Sequence, residues 1–210
     1  MNGVVFDFDG VLADSEGISW QAWEETLDPF GLQVTEQDIA ACTGTTSRDT
    51  YAHFVARGKL PPYEAILAAV DERRRSRYPT DLLPFADAVN AAQALAMVGV
   101  PLAVASSSSR YNLDAKMDVL GLARYFEVTV AGDEVSNGKP APDLYLAAVE
   151  RLGIDAATSV AVEDTTVGAD AAAAAGLRTV IVNRMGLAAG SHPTISEVDP
   201  DLLLLWIGRA

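Results

Sequence analysis

Two aspartates two positions apart, Asp7 and Asp9, follow directly on the apolar run Val4-Val5-Phe6, and Gly10 comes next. At a strand end, residues two apart project from the same face, and glycine permits the tight turn that must follow. One carboxylate can attack phosphorus to form an aspartyl-phosphate, and a second can shuttle the proton. A solvated loop with chance acids is the plainer reading of the same residues. Three further motifs carry related chemistry. In Val104-Ala105-Ser106-Ser107 a hydroxyl directly after an apolar run can hydrogen-bond a phosphate oxygen beside neighbouring amides. A helix N-cap is the alternative, and four serines in succession widen the choice, Ser106 being the one next to the run. In Gly138-Lys139-Pro140 an ammonium can neutralise charge on a transferring phosphoryl group, or it is an ordinary surface lysine. In Val162-Glu163-Asp164-Thr165 two acids suit Mg²⁺, which takes carboxylates, waters and phosphate oxygens; complementing a helix dipole would use them equally well. What decides for chemistry is the conjunction of an acid pair, a hydroxyl, a lysine and a second acid pair, each after a separate apolar run.

Those runs must position the motifs. Five of them, at 4–8, 101–105, 127–131, 159–163 and 179–182, read as buried parallel strands, with helical patterns at 115–120, 144–152 and 169–175 between the last four. The alternation predicts an α/β fold, a Rossmann-like doubly wound parallel sheet, whose ligands lie at the carboxyl ends of its strands. Residues 14–83 break the pattern. They hold helical segments at 15–27, 36–41, 47–57 and 63–78, punctuated by Gly31, Pro61-Pro62 and Pro79. An inserted α-helical cap domain after the first strand is expected over 14–83, with the catalytic core formed by 1–13 and 84–210.

The chain has 210 residues, 50% of them hydrophobic, enough for one core and a small second domain. Its formal net charge of −14 is that of a protein that repels nucleic acid and anionic membranes. A phosphate site here must therefore be a local pocket of cations and amide dipoles. The single cysteine, Cys42, leaves no internal disulfide framework. No apolar run is long enough for a membrane span, and the first residues lack the features of an export signal, so a cytoplasmic protein is expected, a monomer with a dimer left open.

With these motifs in this order, the sequence resembles the haloacid dehalogenase superfamily of phosphotransferases, and more narrowly its phosphoglycolate phosphatase and β-phosphoglucomutase branch, from Val4 to about Val182. The resemblance implies that Asp7 is the nucleophile and a metal ligand. Asp9 becomes the general acid/base, its backbone carbonyl also on the metal. Ser106 and Lys139 hold the phosphoryl group, joined in the phosphate-binding set by Ser107 and Gly10. Asp164 binds Mg²⁺, with Glu163 helping directly or through water. Asp9 sets the chain apart from the true dehalogenases, which lack an acid there.

In the cap, Thr43-Gly44 and Arg48 resemble the loop in which β-phosphoglucomutases place an arginine on a second phosphate, and Arg48 stands one residue further from the glycine. Ser19 occupies a position where the mutases carry a histidine. Thr43, Gly44, Arg48, Ser19 and Trp20 are the substrate candidates there. His53 and His192 read as bland, Arg73-Arg74-Arg75-Ser76-Arg77 as a solvated helix face, and the apolar tail 202–207 as packing on the core. The expected function is Mg²⁺-dependent hydrolysis of a small phosphorylated metabolite, a sugar phosphate for instance. A phosphomutase is the alternative enzyme. A binding protein that kept the fold and lost the chemistry is the alternative from another class, disfavoured because binding alone has no need of Asp9.

Overall fold

β1 (Val4–Phe6) has no exposed residue. It lies between β4 (Leu102–Ala105) and β6 (Val160–Glu163), with Val5 facing Ala103 on one side and Ala161 on the other. A strand buried on both faces has no reason to alternate polar and apolar residues, hence the unbroken VVF. The computed structural model describes residues 1–43, 45–184 and 190–208, so Gly44, an expected substrate residue, lies outside the described residues. β5 (Val128–Val130) flanks β4, and β7 (Arg178–Val182) and the short β8 (Thr194–Ile195) follow β6. The sheet order is β5-β4-β1-β6-β7-β8, every pair parallel. The chain leaves β1 toward β4 and later returns to its other side as β6. The carboxyl ends of these three strands thus border the switch point where α/β sheets hold ligands.

The sheet is covered by α5 (Ala86–Met97), α6 (Arg110–Leu120), α7 (Asp143–Leu152) and α8 (Thr166–Ala174), with α9 (Pro200–Trp206) near the end. Leu144, Tyr145, Ala148 and Leu152 of α7 pack with Ala171 and Ala172 of α8 onto Val5, Ala103, Ala105 and Ala161. The alanine run therefore does what small residues allow, bringing a helix close to the strands. α5 is an addition to the sequence reading, although Ala88, Ala91, Ala92 and Leu95, all buried, keep helical spacing. α6 begins at Arg110, five residues before the expected start.

The antiparallel pair β2 (Ala13–Asp14) and β3 (Leu83–Pro84) stands where the chain leaves and re-enters the α/β unit. The chain divides into two compact units, Met1–Asp14 with Leu83–Ala210, and Ser15–Leu82. The second is the helical cap, made of α1 (Glu16–Leu27), α2 (Glu36–Cys42), α3 (Ser47–Val55) and α4 (Tyr63–Asp81). Its core joins Ala22, Trp23, Leu27, Leu32, Phe54, Ile66 and Val70, with Trp23 and Phe54 stacked at 6.2 Å. α4 continues through Pro79 instead of ending before it; a proline forfeits one backbone hydrogen bond, which the last turn tolerates better than the middle. The arginine run of α4 is not a solvated face. Arg77 and Arg73 pair with Glu25, and Arg74, only 14% exposed, bonds Asp71 at 3.1 Å and the Ser19 hydroxyl at 2.6 Å.

Asp38 anchors the start of α2. Its Oδ2 accepts from the Thr35 N–H (2.8 Å) and hydroxyl (2.6 Å), while Thr35 Oγ1 accepts from the Asp38 N–H, a capping box. The same carboxylate, buried, receives His53 Nε2 at 2.7 Å and Arg57 at 2.6 Å. His53 thus belongs to a polar cluster around the buried Asp38 and is not bland. Burial alone would raise the Asp38 pKa, but the hydrogen bonds from His53, Thr35 and Arg57 outweigh it and hold the carboxyl well below the usual range. A depressed acid stabilises the fold above its unfolded-state pKa, and that stability is lost as pH falls toward the folded value. Thermal melts should therefore lose stability below about pH 4, where an unfolded aspartate starts to bind a proton. Asp38→Asn should be less stable than the parent by about 1–3 kcal/mol at neutral pH and flatter across the acid range. An unchanged acid limb in that variant contradicts the assignment.

Candidate active site

The sheet delivers its acids to one edge. The β1 ladder extends one residue past the strand, the Asp7 N–H donating to Val162 O at 2.9 Å. This fixes the backbone of Asp7 beside β6, whose last residue is Glu163. Asp7, Glu163 and Asp164 bring carboxylate oxygens within 4.8 Å of one another, with Asp7 and Glu163 buried. Lys139, in the segment before α7 and 5% exposed at its side chain, reaches Asp7 Oδ1 at 2.8 Å and Glu163 Oε1 at 2.5 Å.

This packing dictates two glycines. Gly10 has φ +81°, and a Cβ there would stand 1.9 Å from Asp164 Oδ2, so both its backbone conformation and its neighbour exclude a side chain. Gly168, in the first turn of α8, would put a Cβ 2.0 Å from Glu163 Oε1. Its role is close approach of the helix to a buried carboxylate.

The electrostatics follow from the crowding. Burial, with Glu163 and Asp9 added, outweighs the pull of Lys139 and raises the Asp7 carboxyl to about 7. Asp164 is raised well above its ordinary value by burial and then by Glu163 and Asp7. Burial lowers the Lys139 pKa, but Asp7 and Glu163 more than compensate and hold its ammonium above the ordinary range. With Asp9 and Lys116 counted, four carboxylates face two ammonium groups here. The remaining negative charge and the all-oxygen donor set suit a hard divalent cation, so the residues present fit a metal ion.

Glu163 is crowded with donors. Oε1 accepts from Lys139 and, at 2.5 Å, from the Tyr145 hydroxyl; Oε2 accepts from the Asp164 N–H (3.1 Å) and from the Thr165 N–H and hydroxyl. Asp9 lies on the other side. Its carboxylate, 37% exposed, accepts from Ser106 Oγ at 3.3 Å and Ser108 Oγ at 3.0 Å, and pairs with Lys116 at 2.5 and 2.7 Å. Ser106 is completely buried and its Oγ also accepts from the Ser108 N–H, whereas Ser107 is exposed. Arg184 braces the turn from β7's end. Its guanidinium donates to the carbonyls of Gly10 and Val11, both at 3.1 Å, pairs with Asp87 and lies over the Phe85 ring.

The structure thus brings Asp7, Asp9, Gly10, Ser106, Lys139, Glu163 and Asp164 to one strand edge. The sequence reading passed over Lys116, Ser108, Tyr145 and Arg184. A signal existed for Lys116. It falls in the buried stripe Asn112, Leu113, Lys116 and Met117 of α6, where a lysine is out of place. The other candidates belong to the helical unit. There the Thr43 hydroxyl lies 3.0 Å from Glu16 Oε1, Ser19 receives Arg74, and Trp20 packs against the core. The Arg48 guanidinium stacks 4.2 Å over the Tyr63 ring. None of the described helices is long and apolar enough to cross a membrane.

Known proteins share this arrangement of sequence and fold. Protein CbbY of Rhodobacter capsulatus is 34% identical over 195 residues, covering 86% of this chain and 85% of its own. Fructose-1-phosphate phosphatase YqaB of Escherichia coli (strain K12) is 32% identical over 192 residues, 86% of this chain and 95% of its own. The crystal structure of CbbY from Rhodobacter sphaeroides in complex with phosphate superposes with a TM-score of 0.85 at 27% identity, covering 96% of each chain. The family profile described as Haloacid dehalogenase-like hydrolase matches residues 4–182. With the match spanning the central strand, the helical insertion and the acidic edge, the chain belongs to the haloacid dehalogenase-like hydrolase family.

Proposed function

We propose that this hydrolase is a magnesium-dependent phosphatase of small sugar phosphates and related metabolites, working through a phosphoryl group carried on Asp7. The observation that carries the reading is the setting of Asp7. It is a buried carboxylate at the end of the central strand, held at one oxygen by Lys139 and bordered by two more carboxylates. The fructose-1-phosphate phosphatase named above, aligned over 95% of its length, supports the substrate class.

On this reading a carboxylate oxygen of Asp7 bonds to phosphorus as the bond from phosphorus to the leaving oxygen breaks, and Asp9 gives that oxygen its proton. Water then attacks the phosphoryl-aspartate, Asp9 takes the water's proton, and Asp7 is released with inorganic phosphate. Lys139 restrains the Asp7 side chain, so little orientation is lost on reaching the transition state. Ser106, Ser107 and Lys139 receive the phosphoryl oxygens beside the turn at Gly10, whose own N–H donates to the Ala13 carbonyl at 2.9 Å. Mg²⁺ would be held by Asp7, Asp164 and the Asp9 carbonyl, and when bound it would neutralise charge on the phosphoryl oxygens. Because both oxygens of Glu163 already accept hydrogen bonds, its part in holding the ion is more naturally through water.

Three outcomes are expected. Asp7→Ala should release no phosphate from any ester, because no other group can carry the phosphoryl; turnover near the parent's level in that variant would disprove the role. Chelation should silence the enzyme, with Mg²⁺ restoring it and Ca²⁺ failing to, since the larger ion's looser shell misplaces Asp7; full activity after chelation contradicts the metal requirement. Hydrolysis should dominate over isomerisation. Enzyme given β-glucose 1-phosphate, a trace of glucose 1,6-bisphosphate and Mg²⁺ should form free phosphate but little glucose 6-phosphate. Rapid isomerisation, lost in Arg48→Ala, would favour the mutase instead.

A further inference from the structure

The chain has three lysines, Lys59, Lys116 and Lys139, and two of them are buried at this strand edge. Lys139 serves Asp7. Lys116 rises from the buried stripe of α6, 2% exposed at its side chain, and aims all its described hydrogen bonds at one place. It donates to Asp9 Oδ1 at 2.5 Å, Asp9 Oδ2 at 2.7 Å and Ser108 Oγ at 2.8 Å, with its ammonium 4.7 Å from the centre of the Phe8 ring. Ser108 completes a closed set, because its own hydroxyl donates to Asp9 Oδ2 while its N–H donates to Ser106 Oγ.

We infer that Lys116, with Ser108, is a positioning residue that fixes the orientation of the Asp9 carboxylate for proton transfer. The inference rests on the reading of Asp9 as the proton carrier. Burying an ammonium is expensive, and an apolar residue of similar volume commonly stabilises a fold as well as a buried ion pair does. Stability therefore gives little reason to hold a lysine in the apolar stripe of α6. Orientation does. Asp9 is more than a third exposed and stands directly before the turn at Gly10, so the orientation of its carboxylate is sensitive to the polar groups that hold its oxygens. A two-point bond from an ammonium held in the packed interior, plus a serine hydroxyl, restricts both carboxylate oxygens. Proton transfer needs heavy atoms within hydrogen-bond reach, and misplacement of about 1 Å can cost roughly 10²-fold.

The test compares Lys116→Met, Ser108→Ala, Asp9→Asn and the Lys116→Met/Asp9→Asn double variant on p-nitrophenyl phosphate and phenyl phosphate, two esters of similar shape. The nitrophenolate departs with little help, whereas the phenolate needs a proton. Lys116→Met should lose about 10–100-fold in kcat on phenyl phosphate and roughly threefold or less on p-nitrophenyl phosphate, with KM changed by less than about twofold. The double variant should be no slower than Asp9→Asn alone, because the lysine acts only through the aspartate. Ser108→Ala, which carries little risk to folding, should show the same preference at smaller size. In the parent, the ammonium of Lys116 should give a ¹⁵N-edited resonance protected from exchange, shifted in Asp9→Asn and assignable among only three lysines. Equal losses on both esters, additive losses in the double variant, or an unprotected resonance would overturn the inference. Hydrolysis of neither ester by the parent protein would overturn the phosphatase reading, and with it any catalytic use of the pair, even where the protected resonance still reports that the pair forms.

Discussion

Like charges crowded at one edge of a sheet are the constraint around which this fold is arranged. Asp7, Glu163 and Asp164 bring their oxygens within 4.8 Å, and the first two are buried. Carboxylates so placed repel one another, and burial disfavours their charged forms. Burial first, and that repulsion after it, raise the carboxyls of Asp7 and Asp164 above their ordinary values. The surrounding residues answer it locally. Lys139 stands between Asp7 and Glu163, Tyr145 and the Thr165 amide and hydroxyl fill the oxygens of Glu163, and Lys116 answers Asp9. Gly10 and Gly168 follow from the same demand, because a methyl group at either would occupy space held by a carboxylate.

Topology makes the crowding achievable. β1 can deliver Asp7 to the side of Glu163 only because it is paired in parallel register with β6, and Val162 O accepts the Asp7 N–H as the ladder's last rung. A one-residue slip would turn Asp7 to the opposite face. The all-apolar strand interiors resist such a slip through packing on both sides. Arg184 adds restraint where the ladder ends, at the carbonyls of Gly10 and Val11.

Much of this was legible in the sequence, and the reason is local. Each motif sits directly after an apolar run, so strand and site are read from the same few residues. Strand ends were displaced by a residue or two, since pairing, which sets them, involves partners a hundred residues away. What escaped reading was carried by tertiary contact. Ser108 is one of four serines, and only the fold singles it out as the partner of Lys116. Tyr145 is part of the core, and only its hydroxyl, which meets Glu163, ties it to the site. The arginine run of α4 resembled a solvated face until Glu25, Asp71 and Ser19 came to meet it. The sequence names the donors at such places but not their acceptors. Asp38 is the counterpart in the helical unit: its capping box with Thr35 is written locally, while His53 arrives from α3 and Arg57 from the turn after it.

The net charge of −14 bears on how such a site can take an anion at all. A phosphate ester approaching an acidic protein is repelled at long range, though at physiological salt that repulsion fades beyond about 8 Å. At short range the two buried cations of the site are already engaged, Lys139 with two carboxylates and Lys116 with one. On the proposed reading, Lys139 can share its ammonium with a phosphoryl oxygen only where its partners Asp7 and Glu163, and Asp164 beside them, have another source of positive charge. A divalent cation beside them is that source, and binding of substrate should therefore be coupled to the metal more strongly than in a site whose cations are free. The two lysines then differ in kind. On the same reading Lys139 gives up part of its ion pair to the incoming group, whereas Lys116, 2% exposed at its side chain, stays with Asp9 and Ser108. A chain so poor in lysine spends one on charge and one on geometry, and the distinction rests on the burial of Lys116 and on what each lysine touches.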